Sequence, residues 1–88
     1  MTTTSELITV NIKLFAIYQE IYQQPEITLN IASGSKAKDI LSIVTQQKPN
    51  LESWTKITQI AVNLKFVNPD YLLDHGDEIA LIPPVSGG

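Results

Sequence analysis

The sequence predicts a small α+β domain in which one amphipathic helix covers one face of a mixed β-sheet. Apolar and polar residues alternate in two early stretches, Ile8–Leu14 and Ile27–Ile31, with the period of two that is typical of half-buried strands. Apolar residues then recur at helical spacing between Ala37 and Val44. Strands followed by a helix and then by further short strands indicate a two-layer architecture whose second sheet face stays open.

The first third of the chain predicts two antiparallel strands joined by a short helical segment. The first strand runs from Ile8 to Ala16, and its alternation puts Phe15 on the polar side, away from the core. A short helix or turn is expected over residues 16–22 and stops before Pro25. The second strand, over residues 27–31, is expected to pair antiparallel with the first.

The principal helix is predicted over residues 37–48. Ser35 precedes it and is expected to cap its first N–H groups, and Pro49 ends it. A looser turn that closes the core is expected next, with apolar residues Leu51, Ile57 and Trp54, the last interpreted as a core or rim aromatic.

Three short strands are predicted in the last third of the chain. Ile60–Asn63 and Lys65–Val67 form one pair, and Glu78–Ile82 forms the final strand after a Gly76 turn. Leu72 and Leu73 are expected to fill the end of the core.

The open face of the predicted sheet is a candidate docking patch. With the core formed by Ile12, Leu14, Ile79 and Leu81, alternation leaves Phe15 and Ile82 on the other face, together with Phe66. Clustered exposed apolar side chains are typical of interaction sites. The alternative is that the segment 16–22 covers one or more of them.

Composition excludes several classes of function. The chain has 88 residues, a net charge of −3, six lysines and no arginine, which disfavours nucleic-acid binding. The absence of cysteine excludes disulfides, thiolate nucleophiles and Cys-based metal sites. The single histidine, His75, lies in a turn sequence, so neither a metal site nor a self-contained catalytic group is expected.

The sequence predicts one cytoplasmic domain with an extension at each terminus. Residues 1–7 are predicted to be a disordered lead-in, residues 8–82 the domain, and residues 83–88 an extended functional tail. The polar N-terminus does not resemble a signal peptide, and no apolar run is long enough to span a membrane. No membrane association is therefore expected.

The C-terminal segment carries the strongest functional indication. Pro83 and Pro84 stop the final strand and favour a stiff, extended path, and Gly87 and Gly88 fit where any side chain would clash. The six residues from Pro83 span at most about 20 Å, enough to carry the terminal carboxylate into a partner's active site. A frayed terminus is the alternative.

Three motifs resemble the small subunit of molybdopterin synthase, a sulfur carrier of the MoaD type. They are Ala61-Val62-Asn63, Gly76-Asp77-Glu78-Ile79-Ala80 and the terminal Pro83-Pro84-Val85-Ser86-Gly87-Gly88, and the opening Ile12-Lys13-Leu14-Phe15-Ala16 is similar to the family's first strand. The resemblance extends from about residue 8 to the C-terminus.

This resemblance implies a ubiquitin-like β-grasp fold and a definite chemistry. An E1-like adenylyltransferase is expected to adenylate the carboxylate of Gly88 with ATP, and a sulfur donor protein then converts it to a thiocarboxylate. The tail, Pro83 to Gly87, is expected to insert into the large subunit of a heterotetramer containing two of each subunit. There the sulfur passes to cyclic pyranopterin monophosphate. Phe15, Phe66 and Ile82 match the family's docking face.

The resemblance assigns no bound cofactor, metal or acid–base group to this chain, so the catalytic residues are expected in the large subunit. Other interpretations remain open at this stage. The chain could be a ubiquitin-like protein modifier, a sulfur carrier for thiamine synthesis or tRNA thiolation, or a β-grasp binding module with an incidental tail. The Pro83-Pro84-Val85 spacer disfavours the thiamine carrier.

Overall fold

A computed structural model describes residues 6–84 and shows a five-stranded sheet in the order β2-β1-β5-β3-β4. The central pair, β1 and β5, is parallel, and the other neighbours are antiparallel. The strands are β1 Leu7–Leu14, β2 Glu26–Ala32, β3 Gln59–Val62, β4 Lys65–Val67 and β5 Glu78–Ile82. This is the ubiquitin-like β-grasp arrangement, so the predicted fold class is confirmed.

One face of the sheet is covered by the helices. The principal helix, α2 (Ala37–Gln47), follows β2 and buries Ala37, Ile40 and Val44. A short helix α1 (Ile17–Tyr22) connects β1 to β2, and a 3₁₀ turn (Pro49–Leu51) leads into the one-turn helix α3 (Glu52–Thr55). The predicted short helix and the predicted principal helix are both present.

The core lies between α2 and the inward side chains of the sheet. The four residues predicted to form its centre, Ile12, Leu14, Ile79 and Leu81, are fully buried. The pairing of Ile12 with Ile79 and of Leu14 with Leu81 places them side by side on the two central strands. Burying each such side chain contributes about 1.5–3 kcal/mol, so these residues fix which face of the sheet is inside.

Two apolar residues predicted to close the core are instead exposed. Leu73 is buried but Leu72 is 59% exposed, because the backbone of Leu72 bridges to Lys36 and consecutive side chains then point to opposite sides. Ile57 is also exposed, whereas Leu51 is buried and Trp54 is half-buried.

The predicted Ser35 cap of α2 is also wrong. The Ser35 hydroxyl donates to the Ala32 carbonyl at 2.6 Å and therefore stabilises the preceding turn. The helix is capped one residue later, where the Lys36 N–H donates to Asp39 Oδ2 at 2.8 Å. The bridge between Lys36 and Leu72 holds Lys36 in an extended conformation, so helical geometry begins only at Ala37.

At the N-terminus, β1 begins at Leu7, one residue before the predicted start of the domain. The Glu6 carbonyl accepts a hydrogen bond from the Ser33 N–H at 2.9 Å, which extends the contact between β1 and β2. Residues 1–5 of the predicted lead-in lie outside the described residues. Across residues 6–84, no helix is both long and apolar enough to cross a membrane.

Candidate docking and tail-exit site

An apolar cleft of about 540 Å³ opens where the two central strands end. Because β1 and β5 are parallel, their C-terminal ends lie at the same edge of the sheet. The cleft is lined by residues that follow β1, by α3 and by the end of β5. These residues are Phe15, Ala16, Ile17, Trp54, Ile82, Pro83 and Pro84, and none of them is ionisable.

The first wall of this cleft depends on an unusual backbone conformation at Ala16. Its φ of 53° and ψ of −122° lie in a region that favours glycine and costs other residues on the order of 1–3 kcal/mol. The resulting turn is closed by the Tyr18 N–H, which donates to the Phe15 carbonyl at 3.0 Å. It places Phe15, 46% exposed, and the half-buried Ile17 on the same cleft.

The opposite wall is Trp54, which a hydrogen-bond relay fixes against α1. Thr58 Oγ1 donates to the Trp54 carbonyl at 2.7 Å and lies 2.6 Å from the hydroxyl of Tyr18. Tyr18 is fully buried, and burial raises the pKa of its phenol, an effect that the hydrogen bond to Thr58 opposes. The relay thus joins both walls of the cleft through one threonine.

The last described residues of the chain line the cleft. Ile82 is half-buried, Pro83 is buried and Pro84 is exposed. The remaining predicted tail residues, Val85 to Gly88, lie outside the described residues. Pro83 is thus the last buried residue of the described chain, and its neighbours in the cleft are apolar.

Phe66 lies on the edge strand β4, away from this cleft. It pairs with Ala61, which in turn pairs with Ala80 on β5. Phe66 is 66% exposed and about 10 Å, or two strand spacings, from β5. The two alanines between them leave room for a partner to contact Phe66 and Ile82 together.

The other half of the open face is polar. Lys13 Nζ lies 3.3 Å from Glu26 and 3.4 Å from Glu78, joining β2, β1 and β5. The hydrogen bond to Glu26 and the charge of Glu78 raise the pKa of Lys13. Because all three side chains are solvated, the pairs contribute little to stability, but they mark where the apolar surface ends.

Within the described residues, the Gly76-Asp77-Glu78 motif stabilises the turn that precedes β5. Asp77 is nearly buried and accepts hydrogen bonds from the Asp74 N–H at 2.8 Å and from Asn63 Nδ2 at 2.9 Å. His75 Nδ1 accepts a hydrogen bond from the Thr9 N–H at 3.1 Å. These contacts tie the turn before β5 to the hairpin of β3 and β4 and to β1.

The structure brings together only part of the predicted site. Phe15 and Ile82 share the cleft, whereas Phe66 lies outside it, two strands away from β5 on the same face of the sheet. Sequence reasoning missed Ile17 and the role of Trp54 as a cleft wall. Trp54 is nearly forty residues from Phe15 in sequence, and no local pattern indicates that α3 packs beside the end of β1.

Fold and site together define a class of protein: a small β-grasp domain whose last described residues, Pro83 and Pro84, lie beside an exposed apolar cleft. The profile of the ThiS family matches residues 12–88. The chain therefore belongs to the ThiS family.

Named relatives and solved structures support this assignment. A molybdopterin synthase sulfur carrier subunit of Arabidopsis thaliana is 33% identical over 79 residues, covering 90% of this chain and 82% of the relative. Small archaeal modifier protein 1 of Methanosarcina acetivorans has a TM-score of 0.75 at 29% identity, covering 94% of this chain and 99% of that one. A chain from the complex of subunits 1 and 2 of the Helicobacter pylori molybdopterin-converting factor has a TM-score of 0.64 at 28% identity, covering 92% and 100%.

Proposed function

We propose that this chain is the sulfur-carrier subunit of molybdopterin synthase. The observation that carries the proposal is that β5 runs directly into a buried Pro83, beside an apolar cleft whose lining contains no ionisable group. The Arabidopsis relative bears this name, and the Helicobacter pylori structure is a complex of subunits 1 and 2 of molybdopterin-converting factor. Both support the same assignment.

The chemistry takes place at the carboxylate of Gly88. A carboxylate is a poor electrophile, so an oxygen of Gly88 first attacks the α-phosphate of ATP and displaces pyrophosphate. A sulfur nucleophile then attacks the carbonyl carbon, and AMP leaves with the oxygen. Glycine leaves this carbon open on both faces, and the chain supplies no cysteine that could hold the sulfur in another way.

The proposal assigns catalysis to the partners. An E1-like adenylyltransferase uses ATP, a sulfur donor protein supplies sulfur, and the large subunit provides the groups that transfer it to cyclic pyranopterin monophosphate. The assembly is a heterotetramer of two small and two large subunits that acts in the cytoplasm. This chain needs no cofactor or metal of its own for that role.

Intact-mass measurement tests the chemical step. We expect incubation with ATP, the activating enzyme and sulfide to raise the mass by the difference between sulfur and oxygen. Deleting Gly88 should abolish this change while the melting temperature stays the same, because the hydrophobic core of the described residues extends only from Val10 to Leu81. The proposal would be overturned if the mass of this chain did not change in a reaction whose activating enzyme modifies a known carrier.

A second candidate function is protein modification. It is favoured by the similarity to small archaeal modifier protein 1, because a modifier uses the same activation of a terminal glycine. The two functions are distinguished by the product. Isopeptide adducts on denaturing gels of cell extracts would support a modifier, whereas transfer of sulfur to the pterin by the purified synthase would support the carrier. Sulfur carriers for thiamine synthesis or tRNA thiolation would differ from the molybdopterin carrier only in the molecule that accepts the sulfur.

A further inference from the structure

The cleft beside the tail exit has two walls, and the docking residues implied by the family resemblance account for only one of them. Phe15 and Ile82 belong to that docking face. Trp54 and Ile17 come from the helical layer and extend the apolar surface around the end of the sheet. The cleft therefore offers a partner a recess between two layers of the fold in addition to a flat sheet surface.

The length of the tail determines which proteins must cover this recess. Only four residues follow Pro84, and even fully extended they span at most about 14 Å. A protein that acts on the Gly88 carboxylate inside an active site must bring the entrance of that site to within this distance of Pro84. Since Pro84 itself lines the cleft, a protein surface that comes this close to Pro84 also comes close to the cleft.

The chemistry of the lining limits what can enter. No ionisable side chain lines the cleft, so a buried charge from the partner would lose its hydration without gaining a counter-charge. Two aromatic rings facing one recess are instead suited to an aliphatic or aromatic side chain. The volume of about 540 Å³ is within the range of cavities that hold small ligands, so the cleft is large enough for one side chain.

We propose that the cleft between Phe15 and Trp54 receives an apolar side chain from the rim of the large subunit's active-site entrance. This inference rests on the proposed function, and it adds Trp54 and Ile17 to the docking surface. Trp54 is thereby a specificity-determining residue for the large subunit. It does not act on the thiocarboxylate.

The single tryptophan of the chain allows a direct test on the unmutated protein. With 5-fluorotryptophan in place of Trp54, the chain gives one fluorine NMR resonance. Adding unlabelled large subunit is expected to shift this resonance and to abolish its dependence on the ratio of light to heavy water, because the half-buried ring becomes fully covered. A complex that forms with the resonance and its solvent dependence unchanged would overturn the inference.

Two other results would also overturn it. A resonance that responds to the activating enzyme but not to the large subunit would assign the cleft to that enzyme. A resonance that moves with the concentration of the free chain would assign it to a second copy. The proposed function is judged separately, by whether the thiocarboxylated wild-type chain and the large subunit produce molybdopterin.

A substitution adds an energetic test. Trp54→Glu is expected to weaken binding to the large subunit by at least about tenfold, as for a central aromatic contact. The matched control is Tyr71→Glu, because Tyr71 is also a partly exposed aromatic but its carbonyl contacts the start of α2, at the opposite end from α3. Equal affinities for Trp54→Glu and wild type would contradict the inference. If Trp54→Glu does not fold, the fluorine measurement decides the question alone.

Discussion

Asn63 holds two turns of the molecule in place at once. Its φ of 51° and the φ of 73° at Leu64 form the two-residue turn between β3 and β4. Its side chain donates to Asp77 Oδ1 at 2.9 Å and accepts from the Glu78 N–H at 3.0 Å. Asn63, the last residue of the motif Ala61-Val62-Asn63, therefore connects this motif to Asp77 and Glu78 of the Gly76-Asp77-Glu78 motif.

We predict that Asn63→Ala lowers the free energy of unfolding by about 2–3 kcal/mol. The substitution removes two hydrogen bonds, leaves Asp77 with an unpaired oxygen and places alanine in a left-handed conformation. Urea denaturation measures the effect. Asn63→Gly is the control, because it accepts the backbone conformation and should recover part of the loss. A change below about 0.5 kcal/mol in the alanine variant would show that these hydrogen bonds are not needed.

At the scale of elements, α1 and α3 are held together by the relay from Tyr18 through Thr58 to the Trp54 carbonyl. The raised pKa of Tyr18 means that the folded state holds the phenol proton more tightly than the unfolded chain does. The resulting stabilisation is fully present below the ordinary tyrosine pKa of about 10 and is lost as the pH rises through the higher folded value.

We therefore predict that the unfolding midpoint in urea falls as the pH rises above the ordinary tyrosine pKa of about 10 and falls less in Tyr18→Phe. Lys13 and Tyr22 also have raised pKa values and contribute in the same direction. Burial and then the charge of Tyr18 raise the pKa of Tyr22, so the comparison of the two proteins measures Tyr18 together with its effect on Tyr22. At pH 7, Tyr18→Phe should cost about 1 kcal/mol for the lost hydrogen bond. Identical pH profiles would contradict this account.

The elements themselves could be predicted from the sequence because their apolar periods are undisturbed. Alternation identified β1, β2 and β5, and helical spacing identified α2. The predictions for Leu72 and Ser35 were wrong because one backbone bridge, between Lys36 and Leu72, sets both the orientation of Leu72 and the first residue of α2. The spacing of apolar residues in the sequence does not indicate an isolated bridge of this kind. The cleft could not be predicted, since its walls come from segments that meet only after folding.

At the scale of the whole molecule, the open sheet face combines an apolar half with a charged half. Phe15, Ile82 and Phe66 lie on the apolar side, and the ion pairs of Lys13 lie beside them. The exposed position of Phe15 allows its contribution to docking to be separated from any contribution to folding.

We predict that Phe15→Glu weakens binding to the large subunit by about tenfold or more while leaving the fold intact. Calorimetric titration gives the affinity, and circular dichroism gives the folded state. The matched control is Leu7→Glu, since Leu7 is 66% exposed at the opposite end of β1, about 26 Å away. Unfolding of Phe15→Glu would instead assign Phe15 to the core.

Because Pro83 is buried, only four residues, ending in Gly88, follow the described domain after Pro84. Under the proposed function, docking would keep Gly88 within about 14 Å of Pro84 and its terminal group at an effective concentration of millimolar or above. Encounter between the sulfur and its acceptor would then be intramolecular and independent of the concentration of either protein. Docking can therefore be weak enough for the spent carrier to leave quickly, without slowing the reaction.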